Sequence, residues 1–133
     1  RHPAKVINSY IKKNNLLSID DIGFKKQYEI FNMIKKDKIK YLVVNADTIL
    51  QDPLKTLKKL CKILKIRFTK KMLSWPKGKR SSDGIWSTVW YKNVELSNTF
   101  SKYKKEKYYV PKKYNDIYEE SLKYYNEMNQ YSI

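Results

Sequence analysis

The stretch that decides the fold is Ile39-Lys40-Tyr41-Leu42-Val43-Val44-Asn45. Its centre, from Tyr41 to Val44, is continuously apolar, which is typical of a strand buried on both faces of a parallel sheet. One strand cannot satisfy its backbone hydrogen-bonding groups alone, and no other segment is an equally good partner. We therefore predict a parallel strand over about residues 39–45 and expect its neighbouring strands in sequence before Arg1.

A helix is predicted after this strand. Asp52-Pro53 marks its start, because Asp is a favoured N-cap and proline suits the first helical position. Its apolar face is expected to comprise Leu54, Leu57, Leu60, Cys61 and Leu64. Five lysines form its opposite face, which we interpret as solvated rather than as a binding surface: Lys55, Lys58, Lys59, Lys62 and Lys65.

Helical patterns also cover much of the remaining chain. Proline at position 3 predicts a short helix to about residue 14, and a C-terminal amphipathic helix is predicted over about residues 114–128. Between them, a stripe at helical spacing predicts a helix capped by Asp20 or Asp21. That stripe comprises Phe24, Tyr28, Phe31 and Ile34. The sequence thus predicts a mostly helical α/β chain.

The chain is strongly basic, with a formal net charge of +16. A nucleic-acid-binding module is one interpretation of that charge. However, only three of the 29 basic residues are arginines, the residue that reads bases by bidentate contacts. A/T-rich codons also produce an abundance of Lys, Asn, Ile and Tyr. We therefore expect general attraction to anions and no specific nucleic-acid partner.

Length and composition set further limits. At 133 residues the chain is at most one domain. The single cysteine, Cys61, excludes an internal disulfide and a Cys-based zinc site, and its leucine neighbours indicate a core thiol. No apolar run approaches the ~18 residues of a membrane span. We expect a cytoplasmic protein without a metal ion.

The first candidate site is the opening Arg1-His2-Pro3-Ala4-Lys5-Val6-Ile7-Asn8-Ser9-Tyr10. Pro3 places Arg1 just outside a helix start, and Ser9 follows about two turns along the helix. An Arg fork, free N–H groups at a helix start and a hydroxyl can together hold a phosphate. His2 is interpreted as a surface or capping residue rather than as a base.

The second candidate site is an irregular basic loop, Lys77-Gly78-Lys79-Arg80, followed by Asp83-Gly84-Ile85-Trp86. Gly78 lets the backbone approach a ligand closely, and the surrounding cations form an anion nest. A solvated loop is the alternative. The three tryptophans of this region either stack on a base or anchor the loop to the core: Trp75, Trp86 and Trp90.

Together and in order, these features resemble the sulfotransferases that use 3′-phosphoadenosine 5′-phosphosulfate (PAPS). The opening decapeptide is similar to the family's 3′-phosphate motif, in which an Arg and a Ser eight positions later bind that phosphate. Residues 41–64 resemble the family's later strand and helix. Residues 72–91, with Met72-Leu73-Ser74-Trp75-Pro76 and Trp90-Tyr91, resemble a bacterial sulfotransferase-like branch.

The resemblance implies a fold and a role for each candidate residue. It implies a P-loop nucleotide-hydrolase-like three-layer α/β fold, of which residues 1–133 form the C-terminal part of a single domain. It assigns Arg1 and Ser9 to the 3′-phosphate of PAPS and gives Trp86 the role of bracing the loop or the base. The loop that closes over the nucleotide comprises Lys77, Gly78, Lys79 and Arg80.

The chain also departs from the family pattern. The phosphosulfate loop, its Lys and the catalytic His would lie before Arg1, so we expect the isolated chain to be inactive. The family's aromatic-Glu-Asp triplet is replaced here by Asn45-Ala46-Asp47. Alternatives are a basic helical module that binds nucleic acid or an acidic partner, a degenerate sulfotransferase-like domain kept for interaction, and another phosphate-binding α/β transferase such as a nucleotide kinase.

Overall fold

A computed structural model describes residues 1–85, 87–105 and 107–133. Within these residues the chain is mostly helical, as predicted. Its α-helices are α1 (Pro3–Tyr10), α2 (Phe24–Lys36), α3 (Ala46–Gln51), α4 (Pro53–Ile63), α5 (Ser87–Trp90), α6 (Lys92–Glu95) and α7 (Asn115–Asn129). Short 3₁₀ turns occupy Ile19–Ile22, Lys70–Leu73 and Lys112–Tyr114. None of the described helices is both long and apolar enough to span a bilayer.

The chain divides into two compact units. Unit 1 comprises Arg1–Asp47 together with Lys105–Ile133, and unit 2 comprises Thr48–Lys104. In unit 1, helix α7 packs against α1 and α2. The buried apolar side chains of unit 1 are Ala4, Ile7, Leu16, Ile19, Phe24 and Phe31.

The strand predicted over residues 39–45 is not formed. The described residues contain no β-strand, and this segment makes one isolated parallel bridge, between Val43 and Ser132. The N–H of Ile133 donates to the carbonyl of Val43 at 3.1 Å. A strand needs pairing over several residues on at least one side, and the two C-terminal residues are too few to provide it. Tyr41 consequently stays 39% exposed rather than buried.

The predicted cap of α2 is also wrong. The Asp21 carboxylate accepts hydrogen bonds from the N–H groups of Leu17 and Ser18, at 2.8 and 3.0 Å. It therefore stabilises the turn before α2, and these donors lower the pKa of Asp21. Gly23 precedes α2 with a φ of 70°, a left-handed conformation that glycine adopts without steric cost. The predicted stripe is otherwise confirmed, since Phe24 and Phe31 are buried.

In unit 2, the predicted start of α4 is confirmed. The Asp52 carboxylate accepts the N–H of Lys55 at 2.9 Å, and Pro53 is the first helical residue. Cys61 is buried, with its sulfur 3.8 Å from that of Met72, which agrees with a core thiol. The five lysines of the opposite face are all exposed.

Candidate functional site

His2, the residue directly before helix α1, caps the N-terminus of the helix. The Nδ1 atom of His2 accepts the N–H of Ala4 at 3.3 Å, and the His2 carbonyl accepts the N–H of Lys5 at 3.0 Å. Pro3 has no N–H. The first-turn donors are therefore already used, and the expectation of free N–H groups at this helix start is wrong. The expectation that His2 is a capping residue is confirmed.

The two residues of the predicted 3′-phosphate motif are both exposed. Arg1 precedes the His2 cap, and Ser9 lies in the last turn of α1. Because a helix rises about 1.5 Å per residue, Ser9 lies about 9 Å along the axis from Pro3. Lys5 and Ser9 are four residues apart within α1 and share one face of the helix, whereas Arg1 lies outside the helix, before the His2 cap. An anion on this face would be held by side chains and not by helix N–H groups.

Lys5, between Arg1 and Ser9, is held by a carboxylate. Its Nζ lies 3.0 Å from both Asp47 oxygens. The two side chains are only 14% and 10% exposed. The ammonium also lies 5.8 Å from the centre of the Tyr108 ring. Bidentate contact and low exposure make this pair stronger than an ordinary surface ion pair.

Asn45 connects Asp47 to helix α7. Its Oδ1 accepts the N–H of Asp47 at 2.9 Å. Its Nδ2 donates to the Tyr125 hydroxyl and to Oδ1 of Asn129, both at 2.8 Å. A continuous polar network therefore runs from α7 through Asn45 and Asp47 to Lys5 on α1.

The His2 ring is enclosed by tyrosines. It stacks on Tyr108 with centroids 3.6 Å apart and meets the edge of Tyr125 at 5.4 Å. Burial lowers the pKa of His2, although the Asp47 carboxylate opposes that shift. A lowered pKa keeps the imidazole neutral, which the cap requires because Nδ1 must be unprotonated to accept the hydrogen bond from the Ala4 N–H.

A small cavity adjoins Arg1 within unit 1. Its volume is about 120 Å³. Besides Arg1, its lining includes the apolar residues Phe24, Val43 and Val44. It also includes two residues of the polar network, Asn45 and Tyr125. The cavity is thus lined by apolar side chains, hydrogen-bonding groups and a cation.

The basic loop of unit 2 presents its cations to solvent. Lys77, Lys79 and Arg80 are all exposed. Gly78 has a φ of 105°, so a side chain at this position would be strained. The Gly78 N–H donates to the Glu95 carbonyl at 2.8 Å.

A second backbone donor of the loop is also used. The Arg80 N–H donates to the Asp83 carboxylate at 3.0 Å. Since the Gly78 N–H is bonded as well, the predicted nest loses two backbone donors. Anion contacts from this loop must come chiefly from its side chains.

The base of the loop is pinned by the segment after α6. The Trp75 N–H donates to the Asn98 carbonyl at 2.9 Å, and the indole N–H donates to the Ser97 hydroxyl at 3.1 Å. The Trp75 ring also meets Phe100 edge-on at 5.3 Å. Trp75 therefore anchors the loop, which was one of its two predicted roles. Trp86 lies outside the described residues.

The candidate residues are distributed between the two units. Arg1 and Ser9 belong to unit 1, whereas the basic loop belongs to unit 2. In the described part of the chain, no group of His, Cys, Asp or Glu side chains could hold a metal ion.

Sequence reasoning missed the Lys5–Asp47 pair, because its members are 42 positions apart. The available signal is an acidic residue three positions after the apolar run that ends at Val44.

Comparison with known proteins identifies the family. A sequence model described as "Sulfotransferase domain" matches residues 1–132. Among curated proteins, branched-chain-amino-acid aminotransferase-like proteins 1 and 2 of Arabidopsis thaliana are 33% and 29% identical over 126 residues. These alignments cover 95% of this chain but 22% of each relative, so the chain spans about a fifth of their length. No solved structure gives a significant match. Since the family model covers nearly the whole chain, this protein belongs to the sulfotransferase domain family.

Proposed function

We propose that the intact protein transfers a sulfuryl group from PAPS to an acceptor hydroxyl or amine, and that this chain binds the nucleotide. We further propose that the chain is part of a P-loop nucleotide-hydrolase-like three-layer domain. Membership of the sulfotransferase domain family supports a transferase. PAPS as donor and the assignment of residues to its groups are proposals.

The observation that carries the proposal is the exposure of Arg1, directly before the cap of α1, and of Ser9, in the last turn of α1. Arg1 and Ser9 are exposed, whereas Lys5 between them is tied to Asp47. The segment over residues 1–9 therefore offers one guanidinium fork and one hydroxyl, the pair that the family motif uses for the 3′-phosphate. A guanidinium matches phosphate geometry bidentately, and a serine hydroxyl donates a further hydrogen bond.

The basic loop is proposed to bind the nucleotide as well, as the resemblance to the family implies. Lys77, Lys79 and Arg80 are exposed cations on a loop whose base is pinned by Trp75. Gly78 gives the loop its left-handed turn between two of these cations. In this proposal Trp86 braces the loop or the base.

The contribution of these residues to sulfuryl transfer is binding and charge stabilisation. In-line transfer between oxygens depends on positioning and on neutralising the charge of the transferred group. Arg1, Ser9 and the loop cations would fix the nucleotide end of the donor. PAPS supplies the activated sulfuryl group. We assign the base and the sulfate-end contacts to no residue of this chain.

Isothermal titration calorimetry of the intact protein tests the proposal. Adenosine 3′,5′-bisphosphate should bind more tightly than adenosine 5′-phosphate, because only the former has the 3′-phosphate that Arg1 and Ser9 would contact. Equal affinities for the two nucleotides would contradict the proposal.

The exposed lysine face of α4 favours a second candidate, a basic module for nucleic acid or an acidic partner. That function requires a steep loss of RNA or DNA affinity with salt and nearly equal effects from several lysine substitutions. Nucleotide binding that depends on Arg1 but not on the α4 lysines would exclude it.

A further inference from the structure

Among the described residues of this strongly cationic chain, one carboxylate is buried. Asp47 is 7% exposed, although the protein has 29 basic and 13 acidic residues. Among the described residues, the other ion pair joins Lys26 to Glu29, whose side chains are 75% and 45% exposed. Burial of a charged pair has a desolvation cost that stability alone does not explain, because apolar side chains would fill the same space at least as favourably.

The partner of Asp47 is Lys5, which lies between Arg1 and Ser9 in the sequence of the proposed phosphate motif. Lys5 and Ser9 are four residues apart in α1 and share a face of the helix, and Arg1 directly precedes the His2 cap of the same helix. Fixing the Lys5 side chain therefore restricts rotation of α1, which carries Ser9 and is preceded by Arg1. The Lys5 ammonium contacts both oxygens of the Asp47 carboxylate at 3.0 Å, which limits its movement.

Asp47 is itself held in place. Asn45 accepts its backbone N–H and donates to Tyr125 and Asn129 of α7. Helix α7 packs on α1 and is the longest described helix of unit 1. The carboxylate is thus fixed relative to a rigid element before it contacts Lys5.

We propose that Asp47 is a positioning residue for the 3′-phosphate site: by holding Lys5 it aligns Arg1 and Ser9 for the nucleotide. This inference rests on the proposed function. Asp47 touches neither the phosphate nor the reacting atoms, and it acts through Lys5.

Simple electrostatics makes the opposite prediction, which gives the inference a clear test. Replacing Asp47 by Asn makes the chain more positive and removes a negative charge near the site. If Asp47 had no positioning role, anion binding would tighten. If it positions α1, binding of the 3′-phosphate weakens despite the added positive charge.

The experiment measures the affinities of the intact protein for adenosine 3′,5′-bisphosphate and adenosine 5′-phosphate by calorimetry. Asp47→Asn should raise the dissociation constant of the bisphosphate about tenfold and leave that of the monophosphate nearly unchanged. The matched control is Glu29→Gln, which changes the charge equally and breaks the exposed pair. The control should alter neither constant appreciably.

A charge-swapped double variant, Lys5→Asp with Asp47→Lys, tests the pairing itself and should restore the preference for the bisphosphate. It also keeps the test valid if Asp47→Asn does not fold, as judged by circular dichroism. A folded double variant without the preference, or an Asp47→Asn protein that keeps or strengthens it, overturns the inference. A wild-type protein without the preference refutes the proposed function, and this inference falls with it.

Discussion

The two units of this chain are stabilised in different ways. In unit 1, buried apolar side chains from α1, α2 and the intervening turn form a core, and a buried polar network lies beside it. In unit 2, the described buried residues are Thr56 and Cys61, while Leu64 and Ile66 are half exposed. Caps and backbone hydrogen bonds hold unit 2 instead. Core substitutions should therefore affect the stability of unit 1, whereas unit 2 should respond to the loss of individual hydrogen bonds.

The largest expected effect follows from the core of unit 1. Ile7 is fully buried, so Ile7→Ala removes packed methylene groups and should lower the free energy of unfolding by about 2–5 kcal/mol. Leu17, which is 84% exposed, provides the control. Leu17→Ala should change the free energy of unfolding by less than about 0.5 kcal/mol. Urea denaturation measures both. A small effect at Ile7 would mean that unit 1 has no real core.

The next largest effect is expected on nucleotide binding, from the loss of the exposed Arg1 side chain of unit 1. Arg1→Ala should weaken binding of adenosine 3′,5′-bisphosphate by roughly 2–4 kcal/mol, the scale for removing one partner of a desolvated charge pair. The unfolding free energy should stay constant, because Arg1 is exposed. Calorimetry with Arg67→Ala as the control separates a specific contact from loss of charge. Equal losses in the two variants would argue against a 3′-phosphate site.

A smaller effect is expected in unit 2. Trp75→Phe keeps an aromatic ring at this position but removes the indole N–H that donates to Ser97. The free energy of unfolding should fall by about 0.5–1.5 kcal/mol. Hydrogen exchange of the Gly78 amide should accelerate, because the same pinned segment holds it. Ser97→Ala removes the same bond together with the donation of the Ser97 hydroxyl to the Val94 carbonyl, so the double variant should cost less than the sum of the two single variants. Fully additive effects would mean that the Trp75–Ser97 bond does not pin the loop.

The smallest effect is the pH response of the α1 cap. Burial lowers the pKa of His2, so folding favours the neutral ring. The stabilisation is complete above the ordinary histidine pKa of about 6.5 and is lost as the pH falls through the lowered value. The His2 pKa and the exchange of the Ala4 amide, both followed by NMR, should report this loss. His2→Asn keeps a capping side chain and should remove the pH dependence; a His2 pKa above the ordinary value would contradict the prediction.

Local signals were read correctly from the sequence. The start of α4 depends on Asp52 and Pro53 alone, and the core positions of α2 follow from spacing within one helix. Those features need no knowledge of distant residues. The same holds for His2, whose cap bonds a residue two positions away.

Non-local features were mispredicted or missed. The segment over residues 39–45 has the composition of a strand but pairs at a single bridge, and composition does not reveal which partner is available. The Lys5–Asp47 pair and the His2–Tyr108 stack join residues far apart in sequence. The N–H groups expected to be free at the start of α1 are not free for a local reason, because the His2 side chain and carbonyl already accept the N–H groups of Ala4 and Lys5.

Every tryptophan of the chain, at positions 75, 86 and 90, falls within the Thr48–Lys104 unit. Unit 1 contains tyrosines but no indole. Selective excitation of indole therefore yields an emission spectrum that originates in the unit with the basic loop. Within residues 1–133, indole fluorescence therefore reports on events in that unit without a label.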